Sequence, residues 1–168
     1  MEKDPQVVAR LALQRRDENW RFRTFVKHLS AKRLARLEAL SNRLGHEAEA
    51  QMDCTTCGAC CRVNHVPVEP DEIERLASLA KLPVLDFRRQ YLDTDDDGDP
   101  ALPAPCPFLD GARCTVYEDR PVVCREYPYI DGDIVWRMMA ILERVETCPI
   151  VFEMLERLKE QSGFHRYR

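Results

Sequence analysis

Four cysteines fall within eight residues in the first half of this 168-residue chain, in the stretch Cys54-Thr55-Thr56-Cys57-Gly58-Ala59-Cys60-Cys61. The other four cysteines come later, at Cys106, Cys114, Cys124 and Cys148. A chain of this length can bury a hydrophobic core without covalent or metal cross-links. Size alone therefore does not explain the cysteines, and whatever they bind constrains how the later half of the chain folds back on the run.

The start of the chain argues for a reducing compartment. The residues Met1-Glu2-Lys3-Asp4-Pro5 lack the basic segment and apolar run of a secretory signal. The sequence also has no apolar stretch of the ~18–20 residues that span a bilayer. We therefore expect a cytosolic protein without a membrane segment. In the cytosol, clustered cysteines bind metal or do redox chemistry more often than they form disulfides.

The spacing within the run is typical of metal sites. Two residues separate Cys54 from Cys57 and Cys57 from Cys60, and this spacing is the recurrent half-site of tetrathiolate zinc and of iron–sulfur clusters. The ferredoxin pattern would continue with three residues and Cys-Pro, whereas here Cys61 follows at once. Adjacent side chains usually point in different directions, so Cys60 and Cys61 are expected to serve different sites or to leave one thiol spare.

All eight cysteines are candidate metal ligands. Eight thiolates divide naturally into two four-ligand sites, each drawing on the run and on the later cysteines, but spacing does not decide the grouping. A thioredoxin-like pair needs a βαβ context that is not visible, and buried structural cysteines would explain one or two of the eight. The expected cofactor is zinc or iron, with the iron either alone or in an iron–sulfur cluster.

Further motifs follow the run in a fixed order. They are Cys106-Pro107-Phe108-Leu109 and then Cys114-x2-Tyr117-x2-Arg120-Pro121-x2-Cys124-Arg125-x2-Pro128. Together with the run they resemble the YkgJ-type cysteine-cluster family, bacterial proteins described as zinc- or iron-chelating and sometimes labelled Fe–S oxidoreductases. A similar cassette occurs in flagellin lysine methylases, although no methylase-sized substrate domain is present here.

The resemblance covers roughly residues 52–149 and implies which residues bind metal. It points to the four cysteines of the run and to Cys106, Cys114 and Cys124, with Cys148 as a looser match to the late cysteine. Arg120 and Arg125 are expected to offset thiolate charge; an equal alternative for Arg120 is anchoring of a turn through backbone carbonyls. Among the histidines, only His65 lies close enough to the run to replace a cysteine.

The remaining sequence predicts an α+β fold, mainly helical with a few short strands. We expect a helical extension over 1–51, a small metal-stapled cysteine-cluster domain over 52–149, and a closing helix with a polar tail over 150–168. Helix starts are indicated at Asp4-Pro5, Ser30 and Glu69-Pro70. Asp110-Gly111 and Asp131-Gly132 predict two hairpin turns.

Charge is unevenly distributed along the chain. Residues 10–43 hold ten Lys/Arg and three Asp/Glu, a net of +7, and residues 86–119 hold nine Asp/Glu and three Arg, a net of −6. This distribution is best explained if the two oppositely charged segments complement each other or if each exposes its charges to solvent. A basic helical surface that binds a protein partner is an alternative, whereas nucleic acid is not expected because no base-reading motif is present.

The acidic loop before Gly98 matches the first half of an EF-hand calcium loop. Asp93, Asp95 and Asp97 alternate as its first ligands do, but Ala104 stands where a bidentate glutamate is required. We interpret it as an acidic, solvated loop.

Three functional hypotheses follow from the sequence. The leading one is a metal-binding protein that chelates zinc or iron through clustered cysteine thiolates. The alternatives are an iron–sulfur protein serving electron transfer or an oxidoreductase, and a metal-stabilised interaction module. No serine–histidine–acid set, paired catalytic carboxylates or nucleotide loop is visible, so no catalytic residue is assigned. If the protein is an enzyme, an Fe–S oxidoreductase is the expected class.

Overall fold

The computed structural model describes residues 1–95 and 97–165 and separates into two compact units. The helical unit consists of Met1–Asp53 with Pro128–Arg168, and the cysteine unit is Cys54–Tyr127. Within the described residues the helices, in chain order, are α1 (Pro5–Gln14), α2 (Arg16–Lys27), α3 (Ala31–Glu49), α4 (Ala59–Val63), α5 (Pro70–Leu79), α6 (Val84–Tyr91), α7 (Val122–Glu126), α8 (Ile134–Arg144) and α9 (Pro149–Gln161). The strands are β1 (Val66–Pro67), β2 (Asp93–Thr94), β3 (Pro100–Leu102), β4 (Leu109–Asp110) and β5 (Arg113–Cys114).

This composition confirms the mainly helical α+β fold class. The three domain boundaries expected from the sequence stay a prediction. Within the described residues, no helix combines the length and the apolar character that crossing a bilayer requires.

Two predicted helix starts have the expected caps. The side chain of Asp4 accepts a hydrogen bond from the Gln6 backbone N–H (2.8 Å), and Pro5 takes the first helical position of α1. At α5, Glu69 and Glu72 form a reciprocal capping box around Pro70. Each cap satisfies backbone donors that the first helical turn leaves without an intrahelical partner.

The second predicted hairpin is wrong. Asp131-Gly132 does form a turn, but it is followed by α8 rather than by a strand. Asp133 caps this helix by accepting hydrogen bonds from the N–H groups of Val135 (2.8 Å) and Trp136 (3.1 Å). The helix buries a stripe at helical spacing, formed by Ile134, Met138, Ile141 and Leu142. The apolar segment after Asp131-Gly132, which the hairpin prediction took as a strand, forms the first turn of α8.

In the helical unit, α3 runs through Gly45 and ends at Glu49. Gly45 is fully enclosed, and a Cβ atom at this position would stand 2.3 Å from Cγ2 of Ile130. The absence of a side chain therefore lets this face of α3 approach Ile130 closely, at the cost of lower helix propensity.

The helical unit also buries a lysine. Lys159 of α9 has no exposed surface, and its ammonium group contacts Glu18 Oε1 at 2.5 Å, Glu156 Oε1 at 2.6 Å and Asn19 Oδ1 at 2.8 Å. A buried ammonium group needs such partners, because an unpaired charge in the interior is strongly unfavourable.

Two basic side chains at the junction of α1 and α2 are paired within the helical unit. Arg15 forms an ion pair with Glu156, and Arg16 lies 3.9 Å from Glu146. Carboxylates from later in the chain therefore neutralise part of the positive charge that the sequence showed. The interaction-module hypothesis stays a prediction.

The cysteine unit has a small core of its own. β3 lies between β1 and β2 in an antiparallel three-stranded sheet, and β4 pairs with β5 as the predicted Asp110-Gly111 hairpin. Phe87, Tyr91 and Phe108 stack in succession, with ring centroids 4.9 to 6.3 Å apart. The core members are Val66, Val68, Ile73, Leu76, Ala77, Phe87, Leu102 and Phe108, and Cys106 and Cys124 pack against it half-buried.

Candidate metal centre

The cysteine run folds as two short helical turns joined at Gly58. The first is a 3₁₀ turn over Cys54–Thr56, and the second is α4, which carries Cys60 and Cys61. Gly58 has φ +60°, and a Cβ atom there would lie 2.8 Å from the carbonyl oxygen of Ala112. Both the left-handed backbone and the close approach of another segment require glycine at this position.

Arg62 attaches the run to the β4–β5 hairpin. Its guanidinium donates to the carbonyl oxygens of Cys57 (3.3 Å) and Gly111 (2.5 Å). The sequence did not single out Arg62; the only available signal was its position directly after the run.

Three later cysteines lie on different elements of the cysteine unit, and the backbone of one of them contacts the end of the run. The backbone N–H of Cys106 donates to the carbonyl oxygen of Cys61 (2.7 Å). Cys114 lies on β5 opposite Leu109, in the hairpin that begins three residues after Cys106. Cys124 lies on α7 and, with Cys106, packs against the core of the cysteine unit.

The four thiols affect one another's ionisation. The pKa of Cys106 is raised to about 11, first by burial and also by negative charge on Cys61 and Cys114. The pKa of Cys124 is raised to about 12, first by burial and also by negative charge on Cys61, Cys106 and Cys114. Burial and the charge on Cys61 likewise raise the pKa of Cys114. These mutual effects agree with the placement of all four residues in the cysteine unit.

Cys61 differs from the other three thiols. The pKa of Cys61 is lowered to about 7, first by a hydrogen bond from Cys60 and also by the positive charges of Arg62 and Arg120, against an opposing effect of burial. Cys61 therefore ionises first among these thiols, and its charge acts on the three others.

The surroundings of the sulfurs suit thiolates. The backbone N–H of Phe108 donates to the sulfur of Cys106, and that of Val116 donates to the sulfur of Cys114. Hydrogen bonds to an ionised sulfur favour its charged form, and thiolates are the ligands that zinc and iron–sulfur sites use. The donor set and its surroundings thus fit zinc or iron.

The side chains do not form a closed coordination sphere. In residues 1–95 and 97–165, no three His, Cys, Asp or Glu side chains converge as the ligands of an ion would. Within the described residues, the cysteines form no disulfide. Neutral buried thiols have no electrostatic reason to converge, and rotation about the Cα–Cβ bond moves a sulfur between staggered positions without moving the backbone.

The comparisons with known proteins add one finding. A family model described as "CxxCxxCC: Putative zinc- or iron-chelating domain" matches residues 53–149, more than half of the chain. The chain belongs to the CxxCxxCC family. The resemblance drawn from the sequence to a cysteine-cluster family is thereby confirmed, and metal binding by the chain is supported in general terms. No curated protein and no solved structure matches.

The other ligand candidates of this CxxCxxCC protein lie in different surroundings. Cys54 is exposed, and Cys57, whose N–H donates weakly to the Cys54 carbonyl (3.4 Å), is half-buried on the same turn. Cys148 is buried in the helical unit, where it is the residue before α9. His65 is exposed between α4 and β1. The ligand roles of Cys54, Cys57 and Cys148 stay predictions, and for His65 a surface position is the expected one.

The acidic loop is built as a backbone turn. One carboxylate oxygen of Asp95 accepts hydrogen bonds from the N–H groups of Asp97 (3.1 Å) and Asp99 (2.9 Å). This use of the side chain agrees with the interpretation of a solvated loop; Asp96 lies outside the described residues.

A buried carboxylate on α5 was missed by the sequence reasoning. Glu72 is 3% exposed; one of its oxygens accepts from the Val122 N–H (2.8 Å) and the other from the Glu69 N–H (3.1 Å). It therefore caps α5 and also holds the start of α7, the helix that carries Cys124. The contact with Glu69 is the local capping box, whereas the contact with Val122 joins residues fifty positions apart.

Proposed function

We propose that the cysteine unit binds a zinc or iron ion in the cytosol through the thiolates of Cys61, Cys106, Cys114 and Cys124. The observation that carries the proposal is the hydrogen bond from the Cys106 backbone N–H to the Cys61 carbonyl oxygen (2.7 Å), which joins a later segment to the end of the run. The mutual effects of the four thiols on their pKa values and the N–H donors at Cys106 and Cys114 support it. The cytosol keeps thiols reduced and available for metal.

A metal ion bound at this site would cross-link separate segments of the chain. It would keep four thiolates deprotonated and would join the run to the hairpin and to α7. The chain's own residues prepare the site: Gly58 permits the turn, Arg62 holds the run against the hairpin, and Glu72 fixes the start of α7. Structural zinc of this kind contributes ~10 kcal/mol or more to folding.

An iron–sulfur centre is the second candidate function. The observation that favours it is the placement of Cys54 and Cys57 on one tight turn, followed by Cys60 at the start of the next. A C-x2-C-x2-C segment is characteristic of such clusters. In this case the protein would carry electrons, alone or for an oxidoreductase.

Anaerobic purification followed by elemental analysis and a UV–visible spectrum tests both candidates. Stoichiometric zinc in a colourless protein supports the first. Iron with inorganic sulfide and broad absorption near roughly 400 nm supports the second. Absence of both metals after refolding with either ion contradicts the proposal.

Single cysteine variants test the assignment of ligands. Cys106→Ser, Cys114→Ser and Cys124→Ser should each lose most of the bound ion. Cys54→Ser is the comparison variant, since this exposed thiol is outside the proposed set of four, and it should keep the ion. Equal loss in all four variants would contradict the grouping.

Chelation should unfold the cysteine unit in particular. We expect the amide protons of α5 and β3 to lose their protection from hydrogen exchange when the ion is removed. Both tryptophans, Trp20 and Trp136, lie in the helical unit, so their fluorescence reports on that unit separately. Unchanged protection in the metal-free protein would show that metal does not stabilise the fold.

A further inference from the structure

The helical unit exposes both tryptophans of the chain. Trp136 on α8 is 85% exposed and Trp20 on α2 is 43% exposed, and Met139, three residues after Trp136, is 41% exposed. Residues three apart lie on the same side of a helix, so Trp136 and Met139 share one face of α8. Single exposed apolar residues are ordinary, but a contiguous apolar surface of this kind marks an interaction site.

A pocket lies next to this face, between α2 and α8. Trp20 and Met139 both line it, together with Leu142, and its volume is about 340 Å³. All of its lining residues belong to the helical unit. Pockets that enclose small ligands begin at about 300 Å³, so this one has room for a bulky side chain. The same surface therefore presents a protruding indole and a cavity that can receive one.

Charges of opposite sign flank the pocket. On the α2 side, Arg16 is exposed and the guanidinium of Arg23 lies over the Trp20 ring, 5.4 Å from its centroid. On the α8 side, Glu143 is exposed and Glu146 lies 3.9 Å from Arg16. Nucleic acid and anionic membranes attract surfaces of one positive sign. The occupant of this surface must instead offer carboxylates opposite α2 and cations opposite α8.

We propose that this surface is a two-fold interface between two copies of the chain, in which Trp136 of each copy enters the pocket of the other. A two-fold axis joins the same surface of both copies, so each feature must meet its complement on the second copy. With the axis between Trp136 and the pocket, α2 of one copy faces α8 of the other, and Arg16 faces Glu143. The surface carries both the indole and the cavity, and both signs of charge, which a second copy requires and a different partner does not.

Analytical ultracentrifugation of the full chain up to about 100 µM measures this association, since interfaces of standard size have dissociation constants in the micromolar range or below. Trp136→Ser should weaken association by about thirtyfold or more, the effect of removing a central tryptophan. Leu85→Ser is the matched control, because Leu85 is 69% exposed on α6 of the cysteine unit, and it should associate like the wild type. In the wild type, tryptophan emission should shift to shorter wavelength as the concentration rises.

Charge exchange tests the two-fold arrangement itself. Glu143→Arg alone and Arg16→Glu alone place like charges opposite each other, and each should weaken association by about tenfold or more. Mixed in equal amounts, the two variants restore opposite charges at both symmetric positions and should associate more tightly than either does alone. A circular dichroism spectrum of each variant checks that it is folded.

Three outcomes overturn the inference. One is a wild-type chain that stays monomeric over the whole concentration range, which would leave a different partner as the occupant of this surface. Another is Trp136→Ser associating as tightly as Leu85→Ser, which would place the contact between copies elsewhere. The third is a mixture of the two charge variants that associates no more tightly than each variant alone, which would exclude the two-fold pairing of α2 with α8.

Discussion

Replacing Glu72 by glutamine should destabilise the cysteine unit, because both oxygens of this buried carboxylate accept hydrogen bonds from backbone N–H groups. One oxygen is 2.8 Å from the Val122 nitrogen, and the other is 3.1 Å from the Glu69 nitrogen. Glutamine has the same shape but only one acceptor. Whichever way the amide is turned, its NH₂ group faces one of the two N–H donors.

The magnitude follows from these contacts. A buried donor left without an acceptor costs ~1–3 kcal/mol, and a hydrogen bond to a charged group is worth ~1.5–3 kcal/mol. The ion pair with Arg75, at 3.8 Å, is lost as well. Because the neutral amide is easier to bury than the carboxylate, part of the loss is offset, and we expect the free energy of unfolding to fall by about 2–3 kcal/mol.

Urea unfolding followed by far-UV circular dichroism measures this change, with hydrogen exchange of the Val122 and Glu69 amides as the local readout. Tryptophan fluorescence should not report it, since both tryptophans lie in the helical unit. Glu74→Gln is the matched control, because it makes the same chemical change on an exposed position of α5. If the two variants differ by less than about 0.5 kcal/mol, the reasoning about the buried acceptor is wrong.

Two further predictions concern glycine in the run and pH. Gly58→Ala should lower stability and bound metal more than Gly111→Ala. In both variants a non-glycine residue must adopt φ +60°, which costs about 1–2 kcal/mol. Only at Gly58 would the added Cβ clash with neighbouring atoms, which adds about 1–3 kcal/mol. Equal effects on urea unfolding would show that the close approach is unimportant. The hydrogen bond to Asp131 raises the pKa of His46, so this pair should contribute up to about 1 kcal/mol at most, given its exposure. That contribution is full below the unfolded pKa of about 6.5 and is lost as the pH rises through the raised folded value; an NMR titration that finds no upward shift, or a His46→Gln variant with unchanged pH dependence, would contradict it.

Local patterns predicted the local structure well. Asp4-Pro5 and Glu69-Pro70 indicated helix starts, and Asp110-Gly111 indicated a hairpin, because each depends on residues within one turn of the chain. The Asp131-Gly132 hairpin failed for the same reason. A short apolar segment after a turn fits either a strand or the first turn of a helix. Only the helical spacing of apolar residues as far as Leu142 distinguishes the two, and it extends beyond the short segment.

The sequence by itself determined that this is a cysteine-cluster protein and which thiols are candidate ligands, since residue type and spacing carry that chemistry. Only the tertiary structure decided that the backbone of Cys106 contacts that of Cys61, that Cys148 belongs to the helical unit, and that Glu72 holds the start of α7. Contacts between residues fifty positions apart depend on how helices and hairpins pack. Packing is set by the whole buried surface of the unit, and no short pattern records it.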